Sequence, residues 1–87
     1  MKYRVSEKTM ITKFGDVTYL LNCETEQSIQ LMGVANYIID FLSKKEKTID
    51  QVVENIVKRF KISKEVASKD ITNLFENLTL GGFLECV

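Results

Sequence analysis

The segment Glu26-Gln27-Ser28-Ile29-Gln30-Leu31 decides the fold, because the periodicity of apolar residues changes just after it. Ile29 and Leu31 alternate with polar residues, and this period of two predicts a strand with one buried face. Beyond Gly33 the apolar residues recur with a period of about 3.6, which indicates helices. We therefore expect strands before Gly33 and helices after it.

Two earlier strands are predicted at Thr9–Phe14 and Val17–Asn22, separated by Gly15-Asp16. A glycine at the first position of a two-residue loop accepts the positive φ of a type II′ hairpin. The resulting register places three pairs on one face: Phe14 opposite Val17, Thr12 opposite Tyr19, and Met10 opposite Leu21. Because this face is largely apolar, we expect it to point into the core.

The other face of this hairpin is then expected to point to solvent. It carries the polar residues Thr9, Lys13, Thr18 and Asn22. Two apolar residues, Ile11 and Leu20, interrupt the polar pattern of this face. We expect Tyr3 or Val5 of the N-terminal segment to cover them.

The segment Glu26–Leu31 is expected to be the last strand of a three-stranded meander, and therefore an edge strand. No charged residue and no proline lies between Ser28 and Leu31, although such residues commonly protect free edges. An unprotected edge can accept an extended peptide as an additional strand. The pattern thus favours a peptide-recognition module.

Three helices are predicted after Gly33. The first is marked by Val34, Ile38, Phe41 and Leu42, and the second begins with a capping box formed by Thr48 and Gln51. Ser63 is expected to cap the third, Lys64–Leu80, and Gly81-Gly82 to supply the left-handed position after it. Phe83-Leu84 should then fold back onto the core. The order βββααα predicts one α+β domain over residues 1–87.

The third helix carries two parallel stripes of residues. Its core stripe consists of Ala67, Ile71, Leu74, Phe75 and Leu78. A second stripe mixes apolar and hydrogen-bonding side chains: Val66, Asp70, Asn73, Asn77 and Leu80. This second stripe has two interpretations, the rim of the core or one wall of a binding cleft.

The composition argues against catalysis and against bulk electrostatic binding. There are 12 basic and 12 acidic residues and no His, so the formal net charge is zero. Nucleic acids and anionic lipids bind surfaces with an excess of Lys and Arg. Cys23 and Cys86 fit no metal-binding spacing and are expected to be reduced thiols. We expect a non-enzymatic cytoplasmic protein without cofactor, metal, nucleic acid or membrane partner.

Five segments of the chain each give only a weak family signal, but their order along the chain is fairly specific. They are Leu21–Thr25, Leu31–Ile38, Thr48–Val53, Asp70–Leu78 and Gly82–Glu85. Together they resemble the PqqD-like family, the RiPP recognition elements, which bind the leader part of ribosomally made precursor peptides. Met32, Ala35 and Ile39 depart from residues that the family often has at these positions. Stand-alone members of this size are typical of lasso-peptide pathways, among others.

The resemblance implies a winged-helix-like domain, with a three-stranded antiparallel sheet packed on three helices. It also implies that a leader peptide adds as a fourth strand between the third strand and the third helix, and that a separate processing enzyme, such as a leader peptidase, receives it. The positions carried over from the family are Ser28, Ile29, Gln30 and Leu31 on the strand, and Lys69, Asp70, Asn73, Leu74 and Asn77 on the helix.

Two alternatives remain open from the sequence. The last two helices, joined by Lys61-Ile62, mimic a helix-turn-helix, so a winged-helix DNA-binding domain is the main rival. The acidic residues of the third helix outnumber its basic residues, which is a poor electrostatic match for DNA. The basic residues are Lys64 and Lys69, and the acidic ones are Glu65, Asp70 and Glu76. The other alternative is a structural subunit whose edge strand pairs with a second copy of itself.

Overall fold

The computed structural model describes residues 1–87 and confirms a three-stranded antiparallel sheet followed by three helices. Two short strands at the ends of the chain, which were not predicted, form a second sheet. In chain order the elements are β1 (Tyr3–Val5), β2 (Thr9–Phe14), β3 (Val17–Asn22), β4 (Ser28–Met32), α1 (Val34–Lys44), α2 (Ile49–Phe60), α3 (Lys64–Leu80) and β5 (Leu84–Cys86).

The β2–β3 hairpin has the predicted register, with Phe14 opposite Val17 and Met10 opposite Leu21. Gly15 has a φ of 64°, as the predicted turn requires. However, the prediction of which face is buried was wrong. The pairs that include Met10 and Phe14 point to solvent, whereas Leu20 lies in the core.

Specific hydrogen bonds explain why the hairpin buries its more polar face. The Thr18 side chain is fully buried, and its hydroxyl donates to Oδ1 of Asn36 on α1. The Asn22 side chain is also buried, and its Nδ2 donates to the Gly81 carbonyl at 3.1 Å. A buried polar group is tolerated when it has such partners. Leu20 is therefore covered by the core itself, against which Ile11, Tyr3 and Val5 also pack.

One hydrophobic cluster joins the three-stranded sheet to all three helices. The sheet contributes Leu20 and Leu31, and the chain end contributes Phe83 and Leu84. The helices contribute Ile38, Ile39 and Leu42 of α1, Val52, Val53 and Ile56 of α2, and Ala67, Ile71, Phe75 and Leu78 of the predicted core stripe of α3. Leu74, the fifth residue of that stripe, is only half-buried. The capping box of Thr48 and Gln51 and the Ser63 cap are both present.

α3 ends in a Schellman motif. The Phe83 amide donates to the Leu78 carbonyl at 2.9 Å, and the Gly82 amide donates to the Thr79 carbonyl at 3.0 Å. Phe83 and Leu78 are both buried in the core, as this motif commonly requires. The left-handed residue is Gly82, with a φ of 79°, whereas Gly81 remains right-handed.

The two chain ends pair with each other in a second, two-stranded sheet. β1 and β5 pair antiparallel, with Tyr3 opposite Cys86 and Val5 opposite Leu84. The Tyr3 ring packs edge-on against Phe75, with a centroid distance of 5.0 Å. None of the helices combines the length and apolar character that a membrane span requires.

Candidate peptide-binding site

The backbone of β4 has one side paired and one side free, since β4 is an edge of the three-stranded sheet. The Asn22 amide donates to the Gln27 carbonyl at 2.8 Å, which makes Asn22 and Gln27 a hydrogen-bonded pair. In an antiparallel ladder, hydrogen-bonded and non-hydrogen-bonded pairs alternate. The register therefore assigns Ile29 and Leu31 to hydrogen-bonded pairs with β3.

The remaining residues of β4 direct their backbone groups the other way. Ser28, Gln30 and Met32 occupy the non-hydrogen-bonded pairs, so their amide and carbonyl groups point to the free edge. These are the groups that an added strand would pair with. The two-residue turn of the hairpin gives the same alternation, because its closing pair, Phe14 and Val17, is hydrogen-bonded.

The side chains of β4 alternate between the two faces of the sheet. Ile29 is half-buried and Leu31 is buried, and both pack with the core beneath the sheet. Ser28 and Gln30 are exposed on the opposite face. The predicted half-buried strand is therefore present, although it runs over Ser28–Met32 rather than Glu26–Leu31.

An apolar cavity lies between the start of α1 and α3, with residues of α2 and of the link after it completing the lining; no residue of β4 lines it. It has a volume of about 260 Å³, and eight of its nine lining residues are hydrophobic. Because α1 begins directly after β4, the cavity adjoins the end of the free edge. The lining residues are Val34, Ala35, Ile38, Ile56, Ile62, Ala67, Asp70, Ile71 and Leu74.

The five positions on α3 divide into two groups. Asp70 and the half-buried Leu74 line the cavity, and Asp70 is its only charged lining residue. Lys69, Asn73 and Asn77 are exposed on α3 and do not line the cavity. Two apolar residues of the mixed stripe, Val66 and Leu80, are exposed toward either end of the helix.

Most of the residues that line the cavity were not named as binding-site residues from the sequence. Val34 and Ala35, at the start of α1, and Ile62, between α2 and α3, are half-buried and form part of the wall. An apolar residue inside the short polar link Lys61–Ser63 was the available signal for Ile62. The other lining residues have an ordinary core pattern, which does not distinguish a cavity wall from a filled core.

Two ion pairs raise the pKa of their basic residue, and both lie away from the cavity. Glu85 raises the pKa of the Arg4 guanidinium, first through a side-chain hydrogen bond and second through its charge. Glu24 raises the pKa of the Lys8 ammonium in the same way. None of these four residues lines the cavity. No cluster of His, Cys, Asp and Glu large enough to hold a metal ion is present.

Comparison with known proteins places this fold in a family. Residues 18–84 match the family model of coenzyme PQQ synthesis protein D (PqqD), which covers both β4 and α3. The chain belongs to the PqqD family. The family resemblance drawn from the sequence is thus confirmed. No curated protein sequence matches this PqqD family member.

Two solved structures share the fold of this PqqD family member over almost its full length. TbiB1, solved in complex with the TbiA(beta) leader peptide, is 19% identical, with a TM-score of 0.88 and coverage of 97% of this chain and 96% of TbiB1. A lasso peptide synthetase B1, complexed with the leader peptide, is 17% identical, with a TM-score of 0.84 and coverage of 99% of this chain and 100% of that one. At these identities the likeness establishes the fold.

Proposed function

We propose that this PqqD family member is a RiPP recognition element. It binds the leader segment of a ribosomally synthesised precursor peptide as a fourth strand on β4 and presents the peptide to a separate processing enzyme, such as the leader peptidase of a lasso-peptide pathway. It carries out no chemistry itself and acts in the cytoplasm. The observation that carries this proposal is the free edge of β4, with outward backbone groups at Ser28, Gln30 and Met32.

The alternation of β4 determines what an added strand would contact. Residues directly opposite one another on neighbouring strands share a face. Leader residues opposite Ile29 and Leu31 would therefore point under the sheet, toward α3. Those opposite Gln30 would point to the outer face.

α3 supplies the second wall of the proposed cleft. Leu74 and Asp70 line the apolar cavity, which suits an apolar leader side chain as an anchor. Lys69, Asn73 and Asn77 are exposed on the same helix, where their polar groups can bind leader atoms that point away from β4. Main-chain pairing supplies affinity, and the cavity supplies selectivity.

The family and the structural relatives support the same assignment. The two relatives were solved with leader peptides bound, and they share the complete fold, including the edge strand and the third helix. A flexible leader loses conformational freedom when it pairs with a strand, which typically costs about 2–5 kcal/mol. We expect a Kd of about 1 μM or somewhat below, or roughly −8 kcal/mol.

The direct test is an amide-shift titration of this protein with the leader peptide encoded beside it. We expect the largest shifts in β4 and in the part of α3 that contains Asp70 and Asn73. Shifts confined to the β2–β3 hairpin would overturn the proposal.

As a second measurement, Asp70→Ala and Asn73→Ala should each weaken binding, by up to about tenfold. Glu76→Ala is the matched control, because Glu76 lies on α3 in a different surface depression, beside Tyr3.

A further inference from the structure

The surface formed by α1 and α2 carries a row of aromatic rings with cations on them. Tyr37 and Phe41 of α1 stack with their ring centroids 6.5 Å apart, and Phe60 of α2 packs edge-on against Tyr37 at 5.4 Å. The Arg59 guanidinium lies 4.6 Å from the centroid of the Tyr37 ring, and the Lys47 ammonium lies 4.7 Å from that of Phe41. Because an aromatic face attracts a cation, the rings hold both charges in place.

Two shallow depressions continue this surface across α2. Phe41, Lys47, Glu54 and Lys58 are among the residues that line the first, and Glu54, Lys58 and Lys64 are among those that line the second. We call the two depressions, together with Tyr37, Arg59 and Phe60, the basic face. It carries four cations and a single carboxylate, that of Glu54. The basic face is therefore a local excess of positive charge in a chain whose formal net charge is zero.

The cations of the basic face have no carboxylate partner within the molecule. All three ion pairs lie elsewhere: Arg4 with Glu85, Lys8 with Glu24, and Lys13 with Asp40. Arg59 is thus stacked on a ring while its planar fork of N–H donors is left without a carboxylate. The Tyr37 hydroxyl in turn donates to Oδ1 of Asn55 at 2.7 Å, which fixes the ring under the guanidinium.

This arrangement suits a carboxylate from outside the chain. A guanidinium binds a carboxylate through two parallel hydrogen bonds, and a guanidinium already held on a ring loses little freedom when it does so. Arg and Tyr are also among the residues that contribute most to protein interfaces. Phe60, whose surface is 39% exposed, offers an apolar contact beside the charges.

The composition of the basic face disfavours two other occupants. A second copy docked by two-fold symmetry would bring the same cations against each other. Nucleic acid requires a surface that phosphates can approach, whereas Glu54 lines both depressions and would repel them. An acidic protein segment can place its carboxylates on the cations and avoid Glu54.

The basic face is separate from the proposed leader site. No residue lines both the apolar cavity and either depression. The leader would pair with β4 beside α3, whereas the basic face consists of α1, α2 and the first residue of α3. Both surfaces can therefore be occupied at the same time.

We propose that the basic face docks an acidic segment of the processing enzyme while the leader occupies β4. This inference rests on the proposed function. Carboxylates of the segment would pair with Lys58 and Arg59, and an apolar side chain would pack on Phe60. Because the contact is electrostatic and exposed, enzyme binding would weaken with salt, unlike leader binding.

The test compares two double variants with the wild-type protein. Lys58→Gln with Arg59→Gln removes two cations of the basic face from the last turn of α2. Lys2→Gln with Lys44→Gln, the control, removes two exposed cations outside the basic face, one of them from the last turn of α1. The probes are the leader peptide and the purified processing enzyme encoded beside this chain, measured by calorimetry at roughly 50 and 200 mM salt. Circular dichroism and thermal unfolding establish that the variants fold.

We expect the basic-face variant to bind the leader within about twofold of wild type but the enzyme at least about tenfold more weakly, with a smaller salt dependence. The control variant should bind both as the wild type does. Lys64→Gln leaves the aromatic rings untouched and removes a cation from the start of a helix, where its loss does not weaken the helix. It should weaken enzyme binding by about two- to fivefold, even if the double variant fails to fold.

The outcomes separate this inference from the proposed function. Unchanged enzyme binding by the folded basic-face variant or, should it not fold, by Lys64→Gln would overturn the inference and leave leader binding standing. Failure of the wild-type protein to bind the leader would overturn the proposed function instead. A labelled DNA duplex that binds the wild-type protein but not the basic-face variant would show that nucleic acid occupies this surface. A wild-type dimer that the same variant abolishes would show that a second copy does, and either result overturns the inference.

Discussion

At the scale of single residues, the Asn22 side chain makes three hydrogen bonds, two within the turn that follows β3 and one to the end of α3. Its Oδ1 accepts from the Glu24 amide at 2.9 Å and the Thr25 amide at 3.2 Å, which fixes the turn leading to β4. Its Nδ2 donates to the Gly81 carbonyl at the end of α3. One buried side chain thus holds the turn before β4 and the C-terminus of α3 together.

Asn22→Ala should therefore destabilise the protein by about 1–3 kcal/mol, because a buried side chain and its hydrogen bonds to three backbone groups are lost. Urea unfolding followed by circular dichroism measures the change. Asn73→Ala, at an exposed position on α3, is the control and should alter stability by less than about 0.5 kcal/mol. Equal effects of the two substitutions would contradict the role given to Asn22.

Gly82 and Gly15 form a matched pair of glycines. Both have a positive φ, but a Cβ at Gly82 would meet Nδ2 of Asn22 at 2.5 Å, whereas one at Gly15 would meet nothing within 4 Å. Gly15→Ala should cost only the left-handed strain of about 1–2 kcal/mol. Gly82→Ala should cost clearly more, as thermal unfolding of both variants would show. If the two substitutions cost the same, the close approach of Asn22 to Gly82 is not a constraint on the fold.

At the scale of elements, β4 has two separate roles because its backbone groups alternate in direction. Ile29 and Leu31 hold the strand to β3, while Ser28, Gln30 and Met32 present their backbone groups to the free edge. A substitution can therefore remove an edge-facing amide without removing a hydrogen bond of the sheet. This separation makes the proposed strand addition testable in a folded protein.

Gln30→Pro should lower leader affinity by at least about tenfold, since proline lacks the donor and its ring obstructs a neighbouring strand. Isothermal calorimetry with the leader peptide measures the loss, and Gln30→Ala, which keeps the amide, should bind normally. Lys13→Pro is the matched control on the opposite edge, because Lys13 also occupies a non-hydrogen-bonded pair with β3. Normal binding by a folded Gln30→Pro variant would argue against pairing on β4.

At the scale of the whole molecule, charge balance separates peptide binding from DNA binding. The chain carries as many acidic as basic residues, and the cavity between α1 and α3 is almost entirely apolar. A protein that neutralises DNA phosphates releases counterions, so its affinity falls steeply with salt. Strand addition beside an apolar cavity involves no comparable release.

Leader affinity should thus change by less than about threefold between roughly 50 and 200 mM salt, whereas DNA binding through several phosphate contacts would weaken by orders of magnitude. Fluorescence anisotropy with a labelled leader peptide and with a labelled duplex measures both. A steep salt dependence of leader binding would show that charge, rather than backbone pairing and apolar contact, provides the affinity.

Local patterns were sufficient for most of the fold. Helix bounds followed from apolar spacing and from the caps at Thr48 and Ser63, and the hairpin register followed from Gly15-Asp16. β1 and β5 were missed because three-residue strands at opposite ends of a chain carry no local signal of pairing. For the proposed cleft, Asp70 and Leu74 were named from the family resemblance, whereas Val34 was named only as a core residue of the first helix and Ile62 only as part of a link.

The sequence by itself determined the order of the elements, the register of the hairpin and the unprotected edge at β4, because these depend on periodicity and turn chemistry between near neighbours. Only the tertiary structure decided which face of the sheet is buried. The apolar content of the two faces favoured the wrong one, and the decision came from distant partners, Asn36 for Thr18 and Gly81 for Asn22. Those two hydrogen bonds satisfy Thr18 and Asn22 on the face that also carries Leu20, Ile29 and Leu31, and the more apolar face of the hairpin therefore points outward.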